Sequence, residues 1–269
     1  MRKALFYIII LAAFSAACSS KTTIRPGDSL EVAFEKSMMV FEQGNYTQAA
    51  RNFELVLSIG RGTDIARQAQ FLLAESYFNS RQFVLSAAEY RRYYTNFPRS
   101  DRRMDAEFRE ALSYYRLSPR FKLDQQDTYR AIERFQLFIQ RYPDTELASE
   151  AREYIAEMRE KLAQKEFHAA ELYLRLNRYR AAALYYDIVI DRFPETSWAE
   201  KALMRQILAY TLFAENSVEE RQQERFEKAV ASYQKYLQLF PRGQNRELAE
   251  EHYNRALDGL ADVVQISSR

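Results

Sequence analysis

Apolar residues recur along this chain at the three- and four-residue spacing of a helix face, with polar residues filling the gaps. Four prolines, Pro98, Pro143, Pro194 and Pro241, set a common frame. Eight positions before each stands an aromatic: Tyr90, Phe135, Tyr186 and Tyr233. Four before stand Tyr94, Ile139, Ile190 and Leu237, and one before stand Phe97, Tyr142, Phe193 and Phe240. Twelve before, the residue is small: Ser86, Ala131, Ala182 and Ala229. These offsets mark one face of a helix. The small residue admits a crossing helix, and the proline stops the turn that follows. An earlier unit, with Tyr46, Ala49, Phe53 and Leu57, keeps the frame but has Gly60 and Gly62 as its breakers. Upstream of these helices lie further amphipathic stretches, such as 66–78 with Leu73, Ala74 and Tyr77, and 165–179 with Ala169, Ala170 and Tyr173. The pattern predicts five helix pairs, a long continuous helix over about 145–176 and a capping helix near 246–262. No stretch alternates as a strand does.

Two helices per unit, a small residue at their crossing and a closing proline resemble the tetratricopeptide repeat. The steps between units are 37, 45, 51 and 47 residues, against ~34 for that repeat, so the later units carry insertions or longer first helices. The expected fold is all-α: a tetratricopeptide-like right-handed superhelix of about five helix pairs. Composition agrees. Gly and Pro number only 6 each, and aromatics make 14%, with 19 Tyr and 18 Phe, which suits stacked helices with an aromatic core.

The first 29 residues break the pattern. Met1-Arg2-Lys3 is basic, residues 4–14 are uncharged and mostly apolar, and Ser15, Ala16 and Ala17 are small. This is the layout of an export signal, too short to span a bilayer, which takes roughly 20 apolar residues. The sole cysteine, Cys18, follows at once. Its placement resembles the bacterial lipobox, which implies a signal peptide over 1–17 and a lipid on Cys18. Residues 18–29 are polar and aperiodic, and read as a flexible tether. Ser19 after the cysteine implies, by the same likeness, sorting to the outer membrane. Residues 30–143 then hold repeat units 1–3, and residues 144–264 hold units 4 and 5 with the capping helix.

Residues 161–196, KLAQKEFHAAELYLRLNRYRAAALYYDIVIDRFPET, are similar to the fourth repeat of the BamD family, and 129–155 to its third. The break LSPRFKLDQQD at 117–127 stands where that family carries an insertion. Tyr93, Phe138 and Tyr236 occupy a position where general tetratricopeptide repeats favour alanine. The resemblance covers about residues 30–260 together with the lipobox. It implies a non-catalytic lipoprotein on the periplasmic face of the outer membrane, acting in β-barrel assembly. The implied partners are the POTRA region of the BamA-type barrel protein, other assembly-machine lipoproteins and unfolded outer-membrane clients. The rival expectation is another periplasmic repeat adaptor that coordinates cell-wall or secretion enzymes.

First helices line the inner wall of such a repeat array. The candidate client-peptide groove is therefore Phe34, Met38 and Phe41 in the first pair, followed by Phe71, Glu75, Phe78 and Asn79 in the second. The alternative is that these residues simply pack against the neighbouring repeat or the N-terminal tether. Other chemistries find little support. With 39 basic and 37 acidic residues the net charge is +2, which does not suit a dedicated polyanion binder. The arginines of 91–105 are expected to pair with local acids, and no nucleic-acid partner is expected. His168 and His252 read as surface or packing residues, and the acids as solvated helix faces. No HExxH, P-loop, GxSxG or Cys/His metal pattern occurs. No catalytic residue, no metal and no cofactor beyond the covalent lipid is expected.

Overall fold

The computed structural model describes residues 22–267, so the expected signal peptide and Cys18 lie outside the described residues. The described residues form eleven α-helices and no strand. In order these are α1 Leu30–Glu42, α2 Tyr46–Ile59, α3 Asp64–Asn79, α4 Phe83–Asn96, α5 Arg103–Leu117, α6 Gln126–Arg141, α7 Glu146–Arg175, α8 Tyr179–Arg192, α9 Ser197–Glu215, α10 Glu219–Leu239 and α11 Arg246–Ser267. The architecture is all-α and tetratricopeptide-like, with five pairs (α1/α2 to α9/α10) and α11 as the cap. The long helix and the break at 117–127 fall where the sequence puts them.

Local chemistry sets the helix ends. Ser29, Asn45, Thr63 and Thr145 accept N–H groups three residues on, from Val32, Gln48, Ala66 and Ala148. These bonds satisfy donors that the first helical turn leaves open. Three turns within pairs share one geometry. Gly44, Arg81 and Asn177 are left-handed, with φ of 76°, 62° and 57°. The next residue then donates back into the preceding helix: Asn45 to the Val40 carbonyl at 3.2 Å, Gln82 to Tyr77 at 2.8 Å and Arg178 to Tyr173 at 2.9 Å. This closes the helix and turns the chain within three residues.

The chain divides into two compact units. The first comprises the residues up to Ser118 together with Gln126–Arg152; the second comprises Pro119–Gln125 and the residues from Glu153 on. In the first unit α1 to α6 pack in sequence, and α1 also touches α3. In the second, α8 to α11 pack in sequence, and α9 also touches α11. Contact between first helices of successive pairs is how such repeats stack.

The proline frame is the core. Ser86, Ala131, Ala182 and Ala229 are fully buried, as are Tyr90, Phe135 and Tyr186. Tyr93, Phe138 and Tyr236, the departures from the general repeat, are also buried. Phe71 meets Tyr90 and Tyr93 edge-on at 5.7 and 5.2 Å, and Phe108 meets Phe135 and Phe138 at 5.6 and 5.4 Å. Aromatic pairs at such spacing and tilt are favourable beyond the area they bury.

In the second unit Glu171 of α7 accepts the Tyr186 hydroxyl of α8 and both ends of the Arg205 guanidinium of α9, at 2.6 and 2.8 Å. Phe167 packs on Tyr186 and Trp198, Phe121 stacks on His168 at 4.9 Å, and Lys165 donates to the Leu123 carbonyl at 2.6 Å. His168 is an exposed, ring-stacked residue and His252 is buried, so both histidines lie where packing roles put them. Within residues 24–28, Ile24 packs against the first-pair core, and Asp28 accepts the Arg25 N–H and the Lys36 ammonium, each at 2.7 Å.

Candidate functional site

Within the first unit a cleft of about 590 Å³ opens along successive first helices. Phe41 comes from α1, Phe71, Leu72 and Glu75 from α3, Phe108, Arg109 and Leu112 from α5, and Leu147 and Glu150 from the start of α7. Arg102 and Asp105 stand at the start of α5. Only first helices line it. The walls are thus apolar rings and leucines, with charged groups among them.

Those charges are held in fixed positions. Arg109 pairs with Glu75 at 3.0 Å, and the Tyr90 hydroxyl donates to Glu75 at 2.8 Å. Burial, and the Glu75 carboxylate beside it, push the Tyr90 hydroxyl far above the usual tyrosine range, so it stays a donor. The Arg102 guanidinium lies 4.8 Å over the Phe71 ring and Arg109 lies 5.8 Å over Phe78, within cation–π range. The cleft thus interleaves six apolar side chains with five charged ones. No group of His, Cys, Asp and Glu that could hold a metal occurs among the described residues.

Three of the sequence-predicted groove residues, Phe41, Phe71 and Glu75, meet in this cleft. Phe34 and Met38 are half-buried and pack against the first-pair core, Phe34 with its ring 6.1 Å from Phe53. Phe78 is half-buried, packing on Phe83 at 5.4 Å, and Asn79 is exposed at the end of α3. None of these four lines the cleft. Phe71 itself is 6% exposed and presents only an edge. Sequence reasoning missed the other eight lining residues, Leu72, Leu147 and Glu150 and the α5 group Arg102, Asp105, Phe108, Arg109 and Leu112. The signal was available in the spacing: Phe108 and Leu112 repeat on α5 the four-residue step of Phe71 and Glu75 on α3.

Two of the arginines of 91–105 pair with acids, Arg92 with Glu89 at 2.7 Å and Arg103 with Glu107 at 2.8 Å, whereas Arg102 stacks over Phe71. No helix among the described residues is long and apolar enough to cross a membrane.

Known proteins are similar to this chain over most of its length. The chain is 24% identical over 217 residues to the "Outer membrane protein assembly factor BamD" of Caulobacter vibrioides, covering 79% of this chain and 71% of that one. It is 23% identical over 218 residues to the protein of the same name in Rickettsia prowazekii, covering 79% and 85%. Among solved structures, the tetratricopeptide domain of P58(IPK) aligns with a TM-score of 0.41 and 15% identity, over 89% of this chain and 66% of that one. The family described as "YfiO: Outer membrane lipoprotein" matches residues 27–225. That match spans most of the chain, and this protein belongs to the YfiO outer membrane lipoprotein family.

Proposed function

We propose that this protein is a non-catalytic scaffold lipoprotein of the outer-membrane β-barrel assembly machinery. The first-unit cleft receives extended segments of unfolded outer-membrane proteins. A second surface holds the POTRA region of a BamA-type barrel protein beside the machine's other lipoproteins. Cys18 carries the lipid that keeps the chain on the periplasmic face of the outer membrane. Family membership and the relatives' printed role as assembly factors support the assignment to this process. The observation that supports the client-binding step is the cleft itself: rings and leucines from four successive first helices, interleaved with charged side chains that include Arg102 stacked over Phe71. Anchoring would hold partner and client together at the membrane, raising their effective concentration.

Two experiments test it. A tagged pull-down from detergent-solubilised envelopes should retain a barrel protein carrying POTRA domains; recovery of cell-wall or secretion enzymes instead would move the chain to a different adaptor role. Leu72 and Leu112 line the cleft and are only half-buried. Changing both to Gln should weaken binding of a labelled barrel-protein segment at least tenfold while the thermal midpoint holds. Unchanged binding would remove the client from this cleft.

A further inference from the structure

A second cleft, of about 480 Å³, lies in the first unit on a different face of α3. Its walls are the second helices of the first two pairs. Glu54, Leu57 and Ser58 come from α2, with Arg61 just beyond its end, and Glu89, Arg92 and Asn96 come from α4; Gln70 and Leu73 of α3 complete the lining. It therefore shares no residue with the client cleft and is independent of the function proposed for it.

The two walls are polarised in the same direction. Glu54 and Glu89 face one end; seven positions on stand Arg61, past the end of α2, and Asn96, the latter about 10 Å along α4 by helical rise. At the acidic end two carboxylates meet a single guanidinium. Arg92, itself more than half exposed, bonds Glu89 Oε1 at 2.7 Å. Glu54 Oε1 accepts only the neutral Tyr77 hydroxyl, at 2.5 Å. Glu89 is 8% exposed, and its Oε2 is buried and accepts no hydrogen bond; burial raises this carboxyl, while Arg92 and a hydrogen bond from Gln70 to the carboxylate work against that. A buried carboxylate oxygen without a donor is costly, and here it borders a cavity that a ligand can enter. Leu57 and Leu73 give the cavity an apolar strip, along which an alkyl stem can lie while its charged head reaches further.

We propose that this cleft is a second binding site, which takes a basic side chain of an extended partner segment. The incoming guanidinium or ammonium donates to Glu89 Oε2 and to the free oxygen of Glu54, and its methylene stem covers Leu57 and Leu73. Arg61 at the far end faces the acceptors of the same segment. The recognised feature is thus charge of one sign at one position, whereas the client cleft grips apolar side chains.

The test uses the full mature chain in detergent and two fluorescent hexapeptides, one with a single arginine among glycines and serines, the other with citrulline in its place. The arginine peptide is expected to bind at least tenfold more tightly than the citrulline peptide. Glu89→Gln should weaken it at least tenfold. Glu54→Gln, at an exposed position where folding is not at stake, should weaken it several-fold. Equal binding of the two peptides, no binding of either up to millimolar concentration, or unchanged binding by the two folded variants would overturn the proposal.

Discussion

A glutamate in this protein means different things at different positions. Glu171 is the hub between Tyr186 and Arg205. Burial alone would raise its carboxyl, but the bonds from Arg205 and Tyr186 outweigh that and leave it below the ordinary value of 4.5. An acid depressed on folding stabilises the fold at pH above its unfolded value, and that contribution fades as pH falls through the lower folded value. Glu171→Gln should therefore cost about 2 kcal/mol at neutral pH, by loss of a charge-assisted bond. The loss should shrink below pH 4, as read from denaturant midpoints across pH. Glu110 has the opposite sign. It accepts the Tyr94 hydroxyl at 2.8 Å, but burial is the largest influence and raises its carboxyl, so ionising it opposes folding as pH rises. Glu110→Gln keeps an acceptor for Tyr94 and removes the charge; its midpoint at pH 7 should equal or exceed that of the parent, and the advantage should vanish at acid pH. The sequence made the tyrosines at the −8 position legible as core rings, because rings follow a helical period. The carboxylates were not legible. Glu75 and Glu171 each sit 15 residues before their tyrosine and 34 before their arginine, among acids of the same helices that do face water. Reading the acids as solvated faces was wrong for Glu171, and also for Glu89, Glu107 and Glu110, which are buried; Glu75 was read as a groove residue, but its tyrosine and arginine partners were not.

At the scale of the element, close approach matters more than propensity. A Cβ placed on Gly259 of α11 would come within 2.4 Å of the Phe226 ring of α10, and that ring is buried. Alanine in place of glycine inside a helix normally gains about 1 kcal/mol. Here the rigid ring has nowhere to go, so Gly259→Ala should lower the thermal midpoint. Ala182 likewise lies fully buried where α8 is crossed; Ala182→Leu should cost about 1–3 kcal/mol by overpacking. The turn at Arg81 points the other way. A left-handed non-glycine residue costs about 1–2 kcal/mol, of which glycine's extra unfolded freedom returns part. Arg81→Gly should thus stabilise by about 0.5 kcal/mol, visible as a raised denaturant midpoint. Helix pairing was readable because prolines and small residues mark ends and crossings. Which faces stay open was not: Phe34 and Met38 have the spacing of a wall yet turn into the first-pair core, and spacing alone does not say which side of a helix its neighbour occupies.

For the molecule as a whole, the single tryptophan is a convenient reporter. Trp198 packs 5.0 Å from Phe167 and 5.6 Å from His168, all within the second unit. Glu171→Gln should shift the transition seen by its emission, whereas Tyr90→Phe in the first unit should leave that emission unmoved in the native state. The proposed anchoring rests on one atom. On that proposal, replacing Cys18 by Ser should abolish incorporation of a clickable fatty acid and move the chain from the membrane fraction to the supernatant; a variant that stays with the membranes would overturn it. The second unit is also discontinuous in sequence. Its segment Pro119–Gln125 is synthesised before the last part of the first unit, Gln126–Arg152, and well before the rest of its own. A gene fragment that begins at Glu153 would express α8 to α11 but leave the exposed His168 ring without Phe121 and the Lys165 ammonium without the Leu123 carbonyl. Dissection of this protein into halves therefore has no clean cut point. Supplying 119–125 ahead of residue 153 through a flexible linker would restore what the cut removes.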